Sequence, residues 1–157
     1  TVQRHVGLTH RSSEVLDAAT AFARILLSVE SGLPLREAIL RQGTHWISEK
    51  KVIRWSQEPD TVIIGNVLSC ACYIQDAFPA ALFLCWKYAE DFRSGIIANA
   101  HVGGDNCHRG AVVGALLGLA NGVGHEFLEK LKVRPQEQPQ AHRSQGHATH
   151  ATPHASD

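Results

Sequence analysis

Residues 77–88, AFPAALFLCWKY, carry one charge and are apolar almost all round. A helix of that composition has no face to give to water, so it belongs at the centre of a bundle with other elements covering every side. Pro79 fits such a helix only near its first turn, where a missing N–H costs little, and Asp76 just ahead is placed to cap it. The rest of the chain has to supply the cover.

Ser12 or Ser13 can cap a helix whose Val15, Ala18, Ala19, Phe22, Ile25, Leu26 and Val29 recur at helical spacing, stopped by Gly32 and Pro34. Pro34 suits the first turn of a second helix, with Leu35, Ala38 and Ile39 on one face and Gly43 at its end. THWISEKKVIRW predicts a further amphipathic helix, and EDFRSGIIANA and AVVGALLGLA predict two more beyond the central run. TVIIGNVLS, at 61–69, has strand-like β-branched residues, but no second alternating run exists to pair with it, so it reads as loop or helix. The expected fold is all-α, about six helices over residues 9–132. Residues 133–157 hold prolines, glutamines and histidines with almost no large apolar group, and predict a disordered tail.

With 44% hydrophobic and 19% charged residues, the chain can bury one domain's core. Fifteen Lys plus Arg balance fifteen Asp plus Glu without a basic stripe, which argues against nucleic acid as a partner. No apolar run reaches the roughly 18 residues of a membrane span, and the first residues lack the apolar core of a signal peptide. Cys70, Cys72, Cys85 and Cys107 form no disulfide framework, which favours a reducing compartment and a cytoplasmic location. The chain holds no methionine and begins at Thr1, so it reads as a piece of a longer protein.

Chemistry concentrates at 98–122, ANAHVGGDNCHRGAVVGALLGLANG. Gly103 and Gly104 let backbone approach a ligand, and Asp105 stands at the mouth of a helix. There its carboxylate can accept the amide of Cys107 or His108 as an N-cap, or offer oxygen to a hard cation. Cys107 and His108 point about 100° apart on a helix, so they share one ion only with help from the loop. Arg109 can pair with Asp105 at i,i+4. Gly110, Gly114, Gly118 and Gly122 fall four apart and predict one ridge gripped by a neighbouring backbone.

This stretch resembles the C-terminal signature of the ADP-ribosylglycohydrolase family, Gly-Gly-Asp-Thr-Asp-Thr followed by a small-residue helix. LTHRSSEVLDAATAFA resembles the family's Leu-Thr-His helix start, and CYIQDAFPAALFLCWKY its long apolar helix; the three matches run in order over residues 8 to about 122. The resemblance implies an orthogonal multi-helix bundle that hydrolyses the glycosidic bond joining ADP-ribose to a side chain or small acceptor, with paired magnesium ions. It makes Asp105 a metal ligand, sets Cys107 and His108 at two other ligand positions in place of Asp and Thr, and puts Asn106 where a Thr stands. It gives His10, Gly103 and Gly104 to the ADP-ribose. Magnesium prefers oxygen ligands, whereas thiolate and imidazole suit softer ions.

The family's Thr-Asp-Asp cluster and catalytic acid, from an N-terminal region, are not in this sequence. Residues 1–132 therefore read as the C-terminal half of such a domain, whose partner is its own N-terminal half and which is inactive by itself. Two alternatives stay open: a non-catalytic ADP-ribose-binding or structural member of the same fold, and a helical module holding a soft metal through Cys107, His108 and the tail histidines.

Overall fold

The structure is a computed structural model that describes residues 1–131; the expected tail lies outside the described residues. Among the described residues nine α-helices follow one another: α1 (Val2–Val6), α2 (Ser13–Glu30), α3 (Leu35–Gln42), α4 (Glu49–Ser56), α5 (Asp60–Val62), α6 (Ile74–Lys87), α7 (Phe92–Val102), α8 (Asn106–Asn121) and α9 (His125–Leu128). No strand occurs among the described residues, and none of their helices is long and apolar enough to cross a membrane. The fold is all-α. The six helices expected from periodicity are α2, α3, α4, α6, α7 and α8, while α1, α5 and α9 are too short to carry a period.

Helix α6 is the centre, touching α2, α3, α4, α7 and α8. Phe78 through Cys85 are all buried, as an apolar surface on every side requires. Burial also pushes the Cys85 thiol far above its ordinary pKa, so that it stays neutral in the core. The start of α6 differs from expectation. Tyr73 occupies the N-cap position, so Asp76 lies inside the first turn and caps nothing with its side chain. Pro79 consequently falls in the second turn, where it leaves the Gln75 carbonyl without its helical donor. Close packing around α6 outweighs that loss.

Helix α2 buries Ala18, Ala21 and Ile25, and α3 buries Leu35, Ala38 and Ile39, both on the predicted faces. Ser12 stands at the N-cap of α2, but its hydroxyl donates to Glu14 Oε2 at 2.6 Å instead of accepting a backbone amide. THWISEKKVIRW is a turn followed by a shorter helix, because Ser48 takes the N-cap position and α4 starts at Glu49. Residues 63–67 form a wide turn broken at Ile64 and Gly65, in agreement with a loop-or-helix reading. Asp60 in α5 accepts Lys87 Nζ at 2.8 Å and Tyr88 Oη at 2.6 Å, fastening this segment to the end of α6.

The glycine ridge of α8 faces α7, and it is less tight than its spacing suggests. An added Cβ at Gly110 would lie 2.9 Å from Asn99 Nδ2, at Gly118 3.3 Å from Val123 Cγ2, and at Gly114 an ordinary 3.7 Å from Ile96 Cδ1. Gly122 is not part of the ridge; it ends α8 with a φ of 78°. A tighter fit is made from the other side, where a Cβ added at Gly95 of α7 would run into Leu117 Cδ1.

Candidate functional site

Between α7 and α8 the chain must reverse within three residues, and Gly103 and Gly104 do so with φ of 71° and 63°. These are left-handed values that only glycine adopts freely. Gly104 also lies on the backbone of the 68–73 connection: a Cβ there would run into the Cys70 carbonyl and come within 2.7 Å of Cys70 Cβ. The Asp105 amide donates to that same carbonyl at 2.9 Å. The signature loop is thus fastened to the segment that leads into α6.

Asp105 stands at the N-cap position of α8, yet its side chain accepts no backbone amide, contrary to the capping role its place suggests. Its Oδ1 instead lies 2.7 Å from His108 Nδ1, one helical turn on. His108 is otherwise 87% exposed, while the Asp105 side chain is 21% exposed. Cys107 is exposed and its Sγ lies 3.7 Å from Asn106 Oδ1, so thiol and imidazole do not converge on one point.

Arg109 does not pair with Asp105. It is 2% exposed and turns inward, donating from Nε to Asn99 Oδ1 at 2.7 Å and from Nη2 to the carbonyls of Gly103 at 2.7 Å and Asn99 at 3.3 Å. Asn99 in turn donates Nδ2 to the Asn106 carbonyl at 2.9 Å. Two buried polar side chains therefore lock the end of α7, the glycine turn and the start of α8 together. Burial pushes the Arg109 pKa down, opposed by the charges of Asp105 and Cys70. Sequence reading missed Asn99; its one signal was an amide within the otherwise apolar IIANA.

Asp105, His108 and Arg109 line one side of a cavity of about 180 Å³ whose other walls are Cys72, Ile74, Ala77, Phe78 and Val112. His10 contributes nothing to it. That residue is exposed between α1 and α2, with Nδ1 2.9 Å from Thr9 Oγ1.

Magnesium demands near-octahedral oxygen coordination. At this loop Asp105 is the one carboxylate, with Oδ1 held by an imidazole, and the described residues nowhere gather three or more His, Cys, Asp or Glu side chains in a metal-binding group. The donor set of the described residues does not fit a magnesium ion.

The family model for ADP-ribosylglycohydrolase matches residues 1–153, and the chain belongs to that family. No curated protein and no solved structure matches it.

Proposed function

We propose that this chain recognises an ADP-ribosyl group at the Gly103–His108 loop and serves the hydrolysis of the bond between ADP-ribose and its acceptor. The observation that carries this reading is the Asp105–His108 pair, at 2.7 Å, on the loop that bears the family's signature. The glycine turn leaves room for a ligand to reach the backbone at the start of α8, where the helix dipole favours diphosphate oxygens. Asp105 fixes Nδ1 of His108 and so leaves Nε2 free. That nitrogen can take the proton of a water attacking the anomeric carbon, with Asp105 orienting the ring. The water oxygen replaces the acceptor at the anomeric carbon, and the acceptor leaves with the bonding pair and takes up a proton, from the His108 imidazolium or from solvent.

A non-catalytic, ADP-ribose-binding role is the second reading, and the mismatch between the donor set and magnesium favours it. Both readings predict affinity for ADP-ribose; only the first predicts turnover. Calorimetry of the 157-residue chain with ADP-ribose, beside release of ADP-ribose from a mono-ADP-ribosylated protein, separates them. Hydrolysis requires release that falls at least about a hundredfold in His108→Ala, at the low end of general-base effects. Binding without release, by this chain and by the longer protein that carries the family's N-terminal region, establishes the second reading, and no binding by either refutes both.

A further inference from the structure

Asp91 and Asp105 hold the same place on neighbouring helices, the N-cap positions of α7 and α8, and they behave differently. Asp91, with φ −139° and ψ 90°, caps its helix by accepting the Ser94 amide at 2.9 Å. Asp105, with φ −78° and ψ 60°, accepts no backbone amide. Those angles, and the Asn106 amide donating to the Gly104 carbonyl at 2.9 Å, make residues 104–106 an inverse γ-turn centred on Asp105. An N-cap residue is ordinarily extended, and the turn takes Asp105 out of that form. Three further bonds hold it there. The Gly103 carbonyl accepts Arg109 Nη2 at 2.7 Å, the Asp105 amide donates to the Cys70 carbonyl at 2.9 Å, and the Asn106 carbonyl accepts Asn99 Nδ2 at 2.9 Å. Asn99, 5% exposed, serves two of the three, since its Oδ1 also fixes Arg109 Nε at 2.7 Å. Gly110 leaves the room for it: a Cβ there would lie 2.9 Å from Asn99 Nδ2. The Asp91 amide, by contrast, is held locally, by the Tyr88 carbonyl at 3.0 Å.

We propose that Asn99 is the positioning residue of this loop: it holds the 104–106 turn in the form that withholds the Asp105 carboxylate from α8 and leaves it to His108. An ionised carboxylate only accepts, so the 2.7 Å contact puts the ring hydrogen of a neutral His108 on Nδ1 and leaves Nε2 open. Without the Asn99 donor the turn is free to open to the extended form. Asp105 then caps α8 at the Cys107 or His108 amide, as Asp91 caps α7 at Ser94. The His108 ring, released, returns toward the tautomer with its hydrogen on Nε2, the form that imidazole favours in water. Asn99 needs no contact with a ligand for this. Its part in ADP-ribose chemistry rests on the reading given above, whereas its hold on Asp105 does not.

Two NMR measurements on the full 157-residue chain test it: the ring-nitrogen spectrum of neutral His108, assigned by its loss in His108→Gln, and amide hydrogen exchange. Asn99→Asp keeps an acceptor for Arg109 Nε but removes the donor to the Asn106 carbonyl. It is expected to lower the ratio of Nδ1–H to Nε2–H rings at least about threefold, near the low end of a hydrogen bond's worth at so exposed a contact. It is also expected to slow exchange of the Cys107 or the His108 amide about threefold or more, as a new cap bond requires; a merely loosened loop would speed it. Gly110→Ala crowds Asn99 Nδ2 and should give both changes, which keeps the test open if Asn99→Asp does not fold, and it should add neither change to Asn99→Ala. An unchanged ring ratio, faster exchange at both amides, or a full effect of Gly110→Ala in the Asn99→Ala background would each overturn the assignment. ADP-ribose is absent from both measurements, so failure here leaves the hydrolase and binding readings standing, and their failure leaves this result intact.

Discussion

Helices α6 and α8 lie against each other at the middle of the molecule and reach burial by opposite means. Helix α6 fills space with Phe78, Leu82, Phe83 and Leu84, each worth about 1.5–3 kcal/mol when taken from water. Helix α8 buries Val113, Leu116 and Leu117 but spends three interior positions on glycines, at up to about 1 kcal/mol apiece against alanine, and anchors its first turn with a buried arginine. One helix is built for stability. The other gives up stability at its glycines, of which Gly110 lies tightest against α7, and Asp105, Cys107 and His108 stand at its mouth.

The largest effect should come from emptying the α6 side. Phe83→Ala removes a fully buried ring that meets Trp55 edge-on at 6.1 Å, and should cost about 3–5 kcal/mol in urea unfolding. Cys107→Ala, at the exposed mouth of α8, should stay within about 0.5 kcal/mol. Comparable losses for the two would erase the division between core and site.

Arg109→Met comes next. It leaves Asn99 Oδ1 and the Gly103 carbonyl without their donor, and a loss of about 1–3 kcal/mol is expected by the same measurement. A neutral result would mean that the polar lock contributes nothing net and that apolar packing alone positions the loop.

Glycines on the two facing helices should respond with opposite signs. Gly95→Ala drives a methyl into the buried Leu117 and should destabilise by about 1–3 kcal/mol. Gly114→Ala meets only Ile96 Cδ1 at 3.7 Å, and should raise the melting temperature through about 0.8–1 kcal/mol of helix propensity. Loss of stability in Gly114→Ala would show the ridge to be tighter than its geometry.

The smallest effect lies away from both helices' contact, at Tyr88. Desolvation, and then its bond to Asp60, raises the Tyr88 pKa from 10.0 to about 12. A raised pKa means that the folded state holds the proton more firmly. The contribution is therefore complete below pH 10.0 and is lost as the pH climbs to about 12. Stability of the wild type should fall over that window more steeply than that of Tyr88→Phe, and parallel curves would show that the hydroxyl is not coupled to folding.

Much of this was legible because it depends on neighbours in sequence. The apolar faces of α2 and α3 follow the helical period through Ala18, Ile25, Ala38 and Ile39, and the seamless apolar run of α6 allowed no other place than the centre. Helix starts were less legible. Ser48 and Tyr73 became N-cap positions, and Ser12 turned its hydroxyl to Glu14, because each such choice balances terms of about 1 kcal/mol that packing easily overrides.

The sequence by itself determined the all-α class, the order of its principal helices, and the loop Gly103–His108 with its family resemblance, since these follow from period, breakers and a local motif. The tertiary structure alone decided what the side chains of that loop do. Asp105 could have capped α8, Arg109 could have paired with Asp105, and Cys107 and His108 could have faced one ion; all of these are open to residues at such spacings. Which is realised depended on Asn99, on another helix, offering Arg109 a buried acceptor, and on the Cys70 carbonyl, from a distant connection, fixing the Asp105 amide. Hydrogen bonds between segments far apart in the chain leave no period behind, so only the folded arrangement selects among side-chain pairings that are locally near in energy.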